Sequence, residues 1–562
     1  MLMKKINIIM ILILLGIIIY DLILQYRKHN SDSFKQNKLN NWIEQNSKKV
    51  CLIILIIGIL ARVIQLGELP RGLHIDEAGM AYDAYCLAEY GTDRYNNPHP
   101  LYLTNFTQGQ SAMCAYVTSI FIKLLGLNAF SIRLPMAIFS ILTMIMTYLL
   151  VKENKNKTIG ILVLFILAIC PWHIMQARWA LDCNLLSSFM AISLYLLVKV
   201  KKPLGYLGAG IAIGLTLYTY VLSYLILPVF LFLSMAYFLW IKKISWKNMM
   251  IMGVPIFLCA IPLLYMIFLN NGWVPEINSP FFSIPTLRGY RGSEIAIGNI
   301  IDNLNIFKIL LIGDDMMYNV PKEFGALYYI SIPFFVVGLI KIVSNTITAI
   351  RKRKWDFDVI VLIQFLSVFI CMMIIVEPKV NKANAIYIPM IYMVAIGIIE
   401  ICQHSGKILA FVFILYTICF GFFIHYYFTQ FNNNNNLVYQ VYFDDTLVSL
   451  TEQLEERFPE RTIRMDLRII RGKNAHYKKE PYIYTLLANK TSPKDFAETI
   501  EFSEDDISLL IGYENYDFYS TATVEPDTIY VVFSNDAQYD EKAEKYHFKT
   551  EIIGDYKILY QE

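Results

Sequence analysis

Long apolar runs, broken by short polar stretches, recur from residue 6 to residue 428 and set the first expectation. Several reach the roughly 17 to 25 residues that carry a helix across a ~30 Å hydrocarbon core. Nothing in the pattern suggests a barrel, so the chain reads as a polytopic α-helical membrane protein. It predicts an N-terminal anchor and eleven spans, near 50–67, 131–151, 158–171, 184–199, 203–219, 222–241, 248–269, 326–343, 357–376, 384–402 and 407–428. One further stretch, "SAMCAYVTSIFIKLLG" at 111–126, is short, carries Lys123 and ends at Gly126. It is placed as an amphipathic helix in the outer interface, because counting it as a span would invert every later loop.

Charge then orients the spans. Basic loops stay in the cytoplasm, and a consistent set is residues 27–49, "KENKNK" at 152–157, "KVKK" at 199–202, "KKISWK" at 242–247, "RKRK" at 351–354 and "HSGK" at 404–407. The alternate loops face outward: 67–130, "PWHIMQARWALDCN" at 171–184, "YTYVLSY" at 218–224, 270–325, "VEPKVNKANA" at 376–385, and everything after 428. The protein is expected in the plasma membrane. Its 562 residues are 56% hydrophobic with a net charge of +3, but residues 437–562 alone carry −11, so the membrane part is +14. Those cations sit in short loops rather than on one face, which argues against a nucleic-acid partner. Nine cysteines lie between 51 and 419 with no Cys-x-x-Cys pair, and read as small core residues. The first run lacks a small-residue cleavage site and reads as an anchor rather than a signal peptide.

The expected organisation is an anchor and basic loop at 1–49, a transmembrane domain at 50–430 with a large first external loop at 67–130, an Asn linker at 431–436, and an extracytoplasmic domain at 437–562. In the last, "DDTLVSLTEQLEERF" has helical spacing after an acidic start, while "TIRMDLRII" and "TIYVVF" read as strands. A small α/β domain follows.

The outward side gathers acids and cations. In "GLHIDEAGMAYDAY", Asp76 and Asp83 are two turns apart on one side of a helix and Glu77 points elsewhere. Capping and the helix dipole would explain the first two acids without chemistry. Arg178 and Asp182 in "ARWALD" are spaced for an intrahelical ion pair, yet they lie at a membrane edge, where ionisable groups usually have a task. Arg133 in "FSIRLP", and Lys379 and Lys382 in "VEPKVNKANAIYIP", sit at outer span ends, where snorkelling alone would place them. Together, the set suits a substrate whose phosphate lies at headgroup level and whose leaving group stays in lipid. A carboxylate would take the proton of an attacking hydroxyl, and cations would hold the departing phosphate. No Gly-rich nucleotide loop is present.

At these residues the chain resembles the GT-C superfamily of polyprenyl-phosphate-dependent glycosyltransferases, most closely the protein O-mannosyltransferase and lipid A aminoarabinose transferase group. The matching features are "HIDEA" at 74–78, the segment ending "LLG", "FSIRLP", and "RWALD" at 178–182, in that order and on one face. The resemblance implies a GT-C fold of about eleven core helices plus the anchor, with Asp76 as base and Glu77 beside it. It implies that Arg133 contacts the acidic region and that Arg178 and Asp182 lie near the donor; with Lys379 and Lys382 these form the expected donor-phosphate and substrate set. It also implies transfer from a polyprenyl-phosphate-linked sugar, with inversion, to an acceptor protein, cell-envelope polymer or lipid. The chain departs from the mannosyltransferases at "TQGQSAM", 107–113, where they carry a Pro-Pro motif; Gln108 and Gln110, like Asp83, are assigned to the acceptor or to structure. Some relatives bind a divalent metal at the first loop, for which His74 and His99 are the candidate ligands, although they show no recognised ligand spacing. His173 reads as an interfacial residue beside Trp172, and "YTYVLSY" as a sugar-stacking or interfacial aromatic cluster. The rival reading is a transporter or flippase of lipid-linked sugars, which should show a midplane site and paired repeats. A second rival, a sensor acting through its tail, would make the loop carboxylates dispensable.

Overall fold

The computed structural model describes residues 6–16, 19, 38–106, 108–287, 295, 297–402, 406–431, 437–471, 474–478, 480–504, 509–520, 523–525 and 527–561. Among them, eight helices are long and apolar enough to cross a bilayer: Ala129–Asn154, Asp182–Lys199, Ser223–Trp240, Trp246–Asn270, Ser331–Lys352, Phe357–Ile374, Asn384–Cys402 and Lys407–Thr429. The chain is a multi-pass membrane protein. The other three expected spans, 50–67, 158–171 and 203–219, are shorter helices, Ser47–Val63, Lys157–Ile169 and Pro203–Thr216, of 17, 13 and 14 residues. Lys157–Ile169 covers about 20 Å at 1.5 Å per residue. It ends where Pro171 opens a separate short helix, Pro171–Gln176, because proline supplies no N–H to continue the preceding turn. Its residues are apolar and buried on all sides, as befits a helix at the centre of a bundle.

Close packing uses small residues. Ser331–Lys352 crosses Asn384–Cys402 at Gly338 and Gly397, where an added Cβ would collide with the carbonyl oxygens of Met393 and Phe334. Contact this close replaces the hydrophobic drive that lipid-exposed helices lack. The segment at 111–126 forms a 13-residue helix, Met113–Leu125. It buries Cys114, Ala115, Thr118 and Ile122, and exposes Ile120, Leu124 and Leu125.

Of the N-terminal anchor, the helix Ile6–Gly16 is described; the basic loop at 27–37, most of the Asn linker and "HS" of "HSGK" lie outside the described residues. Asn7 donates to the Glu323 carbonyl at 2.7 Å, which packs that helix against the bundle.

Beyond the linker a seven-stranded mixed sheet forms. Its interior strand Thr528–Phe533 is buried along its whole length and pairs in parallel with the central strand, Thr462–Asp466, and antiparallel with Tyr556–Tyr560. The helix expected at 444–458 is Leu447–Arg457. This domain does not stand apart. Ile75, Ala78 and Tyr82 of the first loop share one apolar core with Leu450, Ile463, Leu486 and Val531. The short strand Leu73–His74 pairs antiparallel with Phe443–Asp444. Gly72 precedes that pair at φ +76°, and a side chain there would strike the Asp444 backbone. The domain is thus fixed on the same side of the bundle as Asp76.

Candidate active site

The helix Ile75–Glu89 presents its first turn on the side of the bundle that carries the tail domain. His74 is its N-cap: Nδ1 accepts the Asp76 N–H at 3.1 Å, while Glu77 Oε2 accepts the His74 N–H at 3.3 Å, a reciprocal capping box. Because Nδ1 accepts, the proton of neutral His74 sits on Nε2. Burial pushes the His74 ring down to about 3, so it stays neutral.

Two adjacent carboxylates have opposite environments. Glu77 is fully buried and bidentate with Arg133, at 2.9 Å on both oxygens, and also accepts the Ala180 N–H at 2.9 Å. Asp76 faces a cavity of about 320 Å³ and keeps 40% exposure into it. Among the described residues its nearest partner is the neutral His74 Nδ1 at 3.6 Å, and no cation pairs with it. Loss of water raises the Asp76 carboxyl to about 6, since a charge without hydration or a counter-ion is disfavoured.

Lys379 and Lys382 line the same cavity. Lys379 touches exposed Glu377 at 3.2 Å. Their loop is pinned from behind: Asp314 accepts the Val380 N–H at 2.8 Å and Asn319 Nδ2 at 3.0 Å. Asn384 accepts from Trp172 Nε1 at 3.2 Å and donates to the Cys183 carbonyl at 2.9 Å. Phe106, Met316, Tyr318 and Tyr442 also line the cavity. Burial, with the Asp76 carboxylate beside it, pushes the Tyr318 phenol well above its usual range, so it remains a hydrogen-bond donor. The arrangement offers one base, two cations and aromatic faces suited to a sugar ring.

Several expected site residues lie elsewhere. Arg133 is no phosphate ligand: all five of its N–H groups are used, by Glu77 and by the carbonyls of Leu66, Pro70 and Gly72. Arg178 is fully buried, donates to Tyr427 and to the carbonyls of Ala61, Gln65 and Leu69, and lies 5.2 Å from the centroids of the Tyr427 and Phe428 rings. Its pair with Asp182 does not form, because one helix ends at Gln176 and the next starts at Asp182, so four-residue spacing no longer places the two on one face. Asp182 is buried at that start and does not line the cavity. Asp83 is locked bidentate to Arg94 at 3.0 and 2.7 Å. Gln110 is buried in the hairpin opposite Leu103; the backbone of Gln108 pairs with Asn105, and its side chain lies outside the described residues.

The metal reading does not fit the donor set. Among the described residues no three His, Cys, Asp or Glu side chains gather to hold an ion. His74 Nδ1 is taken by the Asp76 amide, and His99 is exposed and packs its ring against Gly91. His173 is buried and bonds Arg62 at 2.9 Å.

Sequence reasoning missed Tyr318, Asn319, Tyr442 and Glu480, all of which line the cavity. The signal for the first two was "GDDMMYN" at 313–319, a polar cluster in an outward loop. The last two could not be found, because they come from beyond the linker.

Residues 110–266 match the family model described as dolichyl-phosphate-mannose-protein mannosyltransferase. No curated protein sequence matches the chain. The fold is similar to the oligosaccharyltransferase of Archaeoglobus fulgidus in its apo form, with a TM-score of 0.51 and 12% identity, over 80% of this chain and 64% of that one. The chain therefore spans about two thirds of that enzyme's length. It is also similar to ArnT from Cupriavidus metallidurans bound to undecaprenyl phosphate, with a TM-score of 0.50 and 11% identity, over 90% of this chain and 97% of that one. In its apo state ArnT gives 0.50 and 12%, over 91% and 98%. The fold is GT-C.

Proposed function

We propose that the protein is a membrane glycosyltransferase that moves a sugar from a polyprenyl-phosphate-linked donor to an acceptor hydroxyl at the outer face of the plasma membrane. The observation that carries this is that the Asp76 carboxylate, which pairs with no cation among the described residues, lines one cavity with Lys379 and Lys382. The mannosyltransferase family match and the fold shared with an undecaprenyl-phosphate-bound protein support it. A transport site would lie at the midplane between spans, whereas this cavity is lined by the first turn of Ile75–Glu89, by Tyr442 and by the segments at 316–319 and 379–382.

Asp76 accepts the proton of the acceptor hydroxyl as its oxygen bonds to the anomeric carbon. The bond from that carbon to the phosphate oxygen breaks, and polyprenyl phosphate leaves with one more negative charge. Lys379 and Lys382 neutralise that charge as it develops, which is where preorganised cations act most strongly. The Tyr318 hydroxyl lines the cavity and is a donor available to orient the sugar. Attack opposite the leaving group inverts the anomeric centre. The tail domain shares the outer side, and Tyr442 and Glu480 bring it to the acceptor end of the cavity.

The test is transfer by purified protein from a polyprenyl-phosphate sugar to candidate protein, polymer and lipid acceptors. Activity that falls by about 10²- to 10⁴-fold in Asp76→Asn supports the assignment. A folded Asp76→Asn protein with wild-type turnover would overturn it.

A further inference from the structure

A second built feature lies at the opposite end of the bundle. Helix Ala129–Asn154 starts beside the Glu77–Arg133 pair and runs for about 39 Å at 1.5 Å per residue. At its far end Lys155 binds Asp356 and Asp358 at 2.7 and 2.9 Å. Immediately before those acids, the loop Arg351–Trp355 packs against the loop that joins Ser223–Trp240 to Trp246–Asn270. Trp240 Nε1 donates to the Ile350 carbonyl at 3.5 Å, Tyr237 donates to the Lys354 carbonyl at 2.8 Å, and the Arg353 guanidinium covers Trp240 at 4.3 Å.

The two loops bring together seven cations: Lys242, Lys243, Lys247, Arg351, Lys352, Arg353 and Lys354. None is paired with a carboxylate among the described residues, since Lys155 already occupies Asp356 and Asp358. A cavity of about 600 Å³ is lined by Leu239, Lys242, Lys243, Ile244, Ser245, Trp246 and Asn248, all from residues 239–248, with Lys242 and Lys243 as its cations. The 25-residue helix Trp246–Asn270 starts at this cavity, where the Ser245 hydroxyl accepts the Asn248 N–H at 3.3 Å, and its N-terminus adds a partial positive charge. Lys243 sits 2.8 Å from the centroid of Trp355, half-buried, and burial lowers its ammonium to about 8, so it stays charged at neutral pH. Trp240 and Trp246 are 51% and 66% exposed on either side, at the depth where indole rings mark the interface between hydrocarbon and headgroups.

We infer that this cavity is a binding site for the phosphate headgroup of an anionic phospholipid in the leaflet opposite the Asp76 cavity. Orientation by basic loops needs only that the charges stay on one side; it does not require a cavity, a helix N-terminus and flanking indoles around them. A lipid is favoured over a soluble anion because its acyl chains would lie along exposed Met250, Val254 and Phe257, one to two turns into the same helix. The inference does not depend on the glycosyl-transfer reading, since none of these residues lines the other cavity.

The test is native mass spectrometry of the full, delipidated protein with phosphatidylglycerol or phosphatidylcholine of matched acyl chains. Retention of phosphatidylglycerol should exceed that of phosphatidylcholine by about 10-fold, as expected where several basic side chains surround one headgroup. The triple variant Lys242→Gln, Lys243→Gln, Arg353→Gln should erase that preference. Should the triple variant not fold, Lys243→Gln alone should reduce the preference by half or more, and Lys243→Arg should retain it. Equal retention of the two lipids, or an unchanged preference in folded Lys243→Gln, overturns the site. Displacement of the lipid by millimolar inorganic phosphate overturns the lipid and points to a soluble anion.

Discussion

Asp76 and Glu77 are neighbours in sequence with opposite uses, and the difference is one of partners. Glu77 has a guanidinium and two amides; Asp76 has only a cavity and a neutral ring among the described residues. A carboxyl raised from 3.8 to about 6 holds its proton more tightly folded than unfolded. Its contribution to stability is therefore complete below about pH 4 and is lost as pH rises through 6. Two outcomes follow for the base. The kcat/KM profile should rise through about pH 6 and level off above it, and Asp76→Asn should melt no lower than wild type at pH 7.5 while losing turnover. An acid limb unchanged in Asp76→Glu and an unshifted plateau at pH 5 would count against this carboxyl. His74 separates in the same way: His74→Asn keeps a capping acceptor and should hold its melting temperature, whereas His74→Ala should lose about 1 kcal/mol. Loop charge grouped the acid pair with Lys379 and Lys382 on one expected face, but which acid stays unpaired was not legible, because Arg133 lies 56 residues away.

At the scale of elements, the Glu77–Arg133 pair staples the first-loop helix to the span that begins at Ala129, and through Ala180 to the segment between two further helices. Removing one member leaves a buried charge alone, which costs about 3 to 5 kcal/mol. Glu77→Ala should thus lose folded protein in thermal melts at every pH, where Asp76→Asn loses only activity. The lysine loop behaves differently, because its cations meet the cavity. Lys379→Ala and Lys382→Ala should leave the melting temperature within about 1 kcal/mol of wild type, as is usual for exposed charges, and should weaken donor use, read in kcat/KM. The helix break between Gln176 and Asp182 shows why spacing misled for Arg178. Four-residue spacing predicts a shared face only while the helix continues, and the stop lies in the tertiary packing of Asn184 and Asn384 against the 176–179 backbone and side chains. The spans themselves were legible, since length and hydropathy fix them. The three short ones were not separable from full crossings, because an apolar residue reads alike whether lipid or protein surrounds it.

For the whole molecule, the decisive relation joins the tail domain to the base. Leu73–His74, the residues that launch the Asp76 helix, pair with Phe443–Asp444; Tyr484 donates to the Leu73 carbonyl at 3.0 Å, and buried Lys478 meets Asp444 at 2.8 Å. The domain therefore frames the base as well as lining the cavity. A domain that only recruited acceptor would, when disturbed, raise acceptor KM and leave kcat and stability alone. Framing makes a different demand: whatever loosens the Leu73–Asp444 seam should lower stability and kcat together, in proportion. Tyr484→Phe removes one hydrogen bond and should cost about 1 kcal/mol. Lys478→Met strands Asp444 among buried groups and should cost about 3 to 5 kcal/mol. Neither residue lines the Asp76 cavity. Thermal melts and steady-state kinetics on the two full-length variants give the answer: kcat falling in step with melting temperature supports framing, and an unchanged kcat with a raised acceptor KM refutes it.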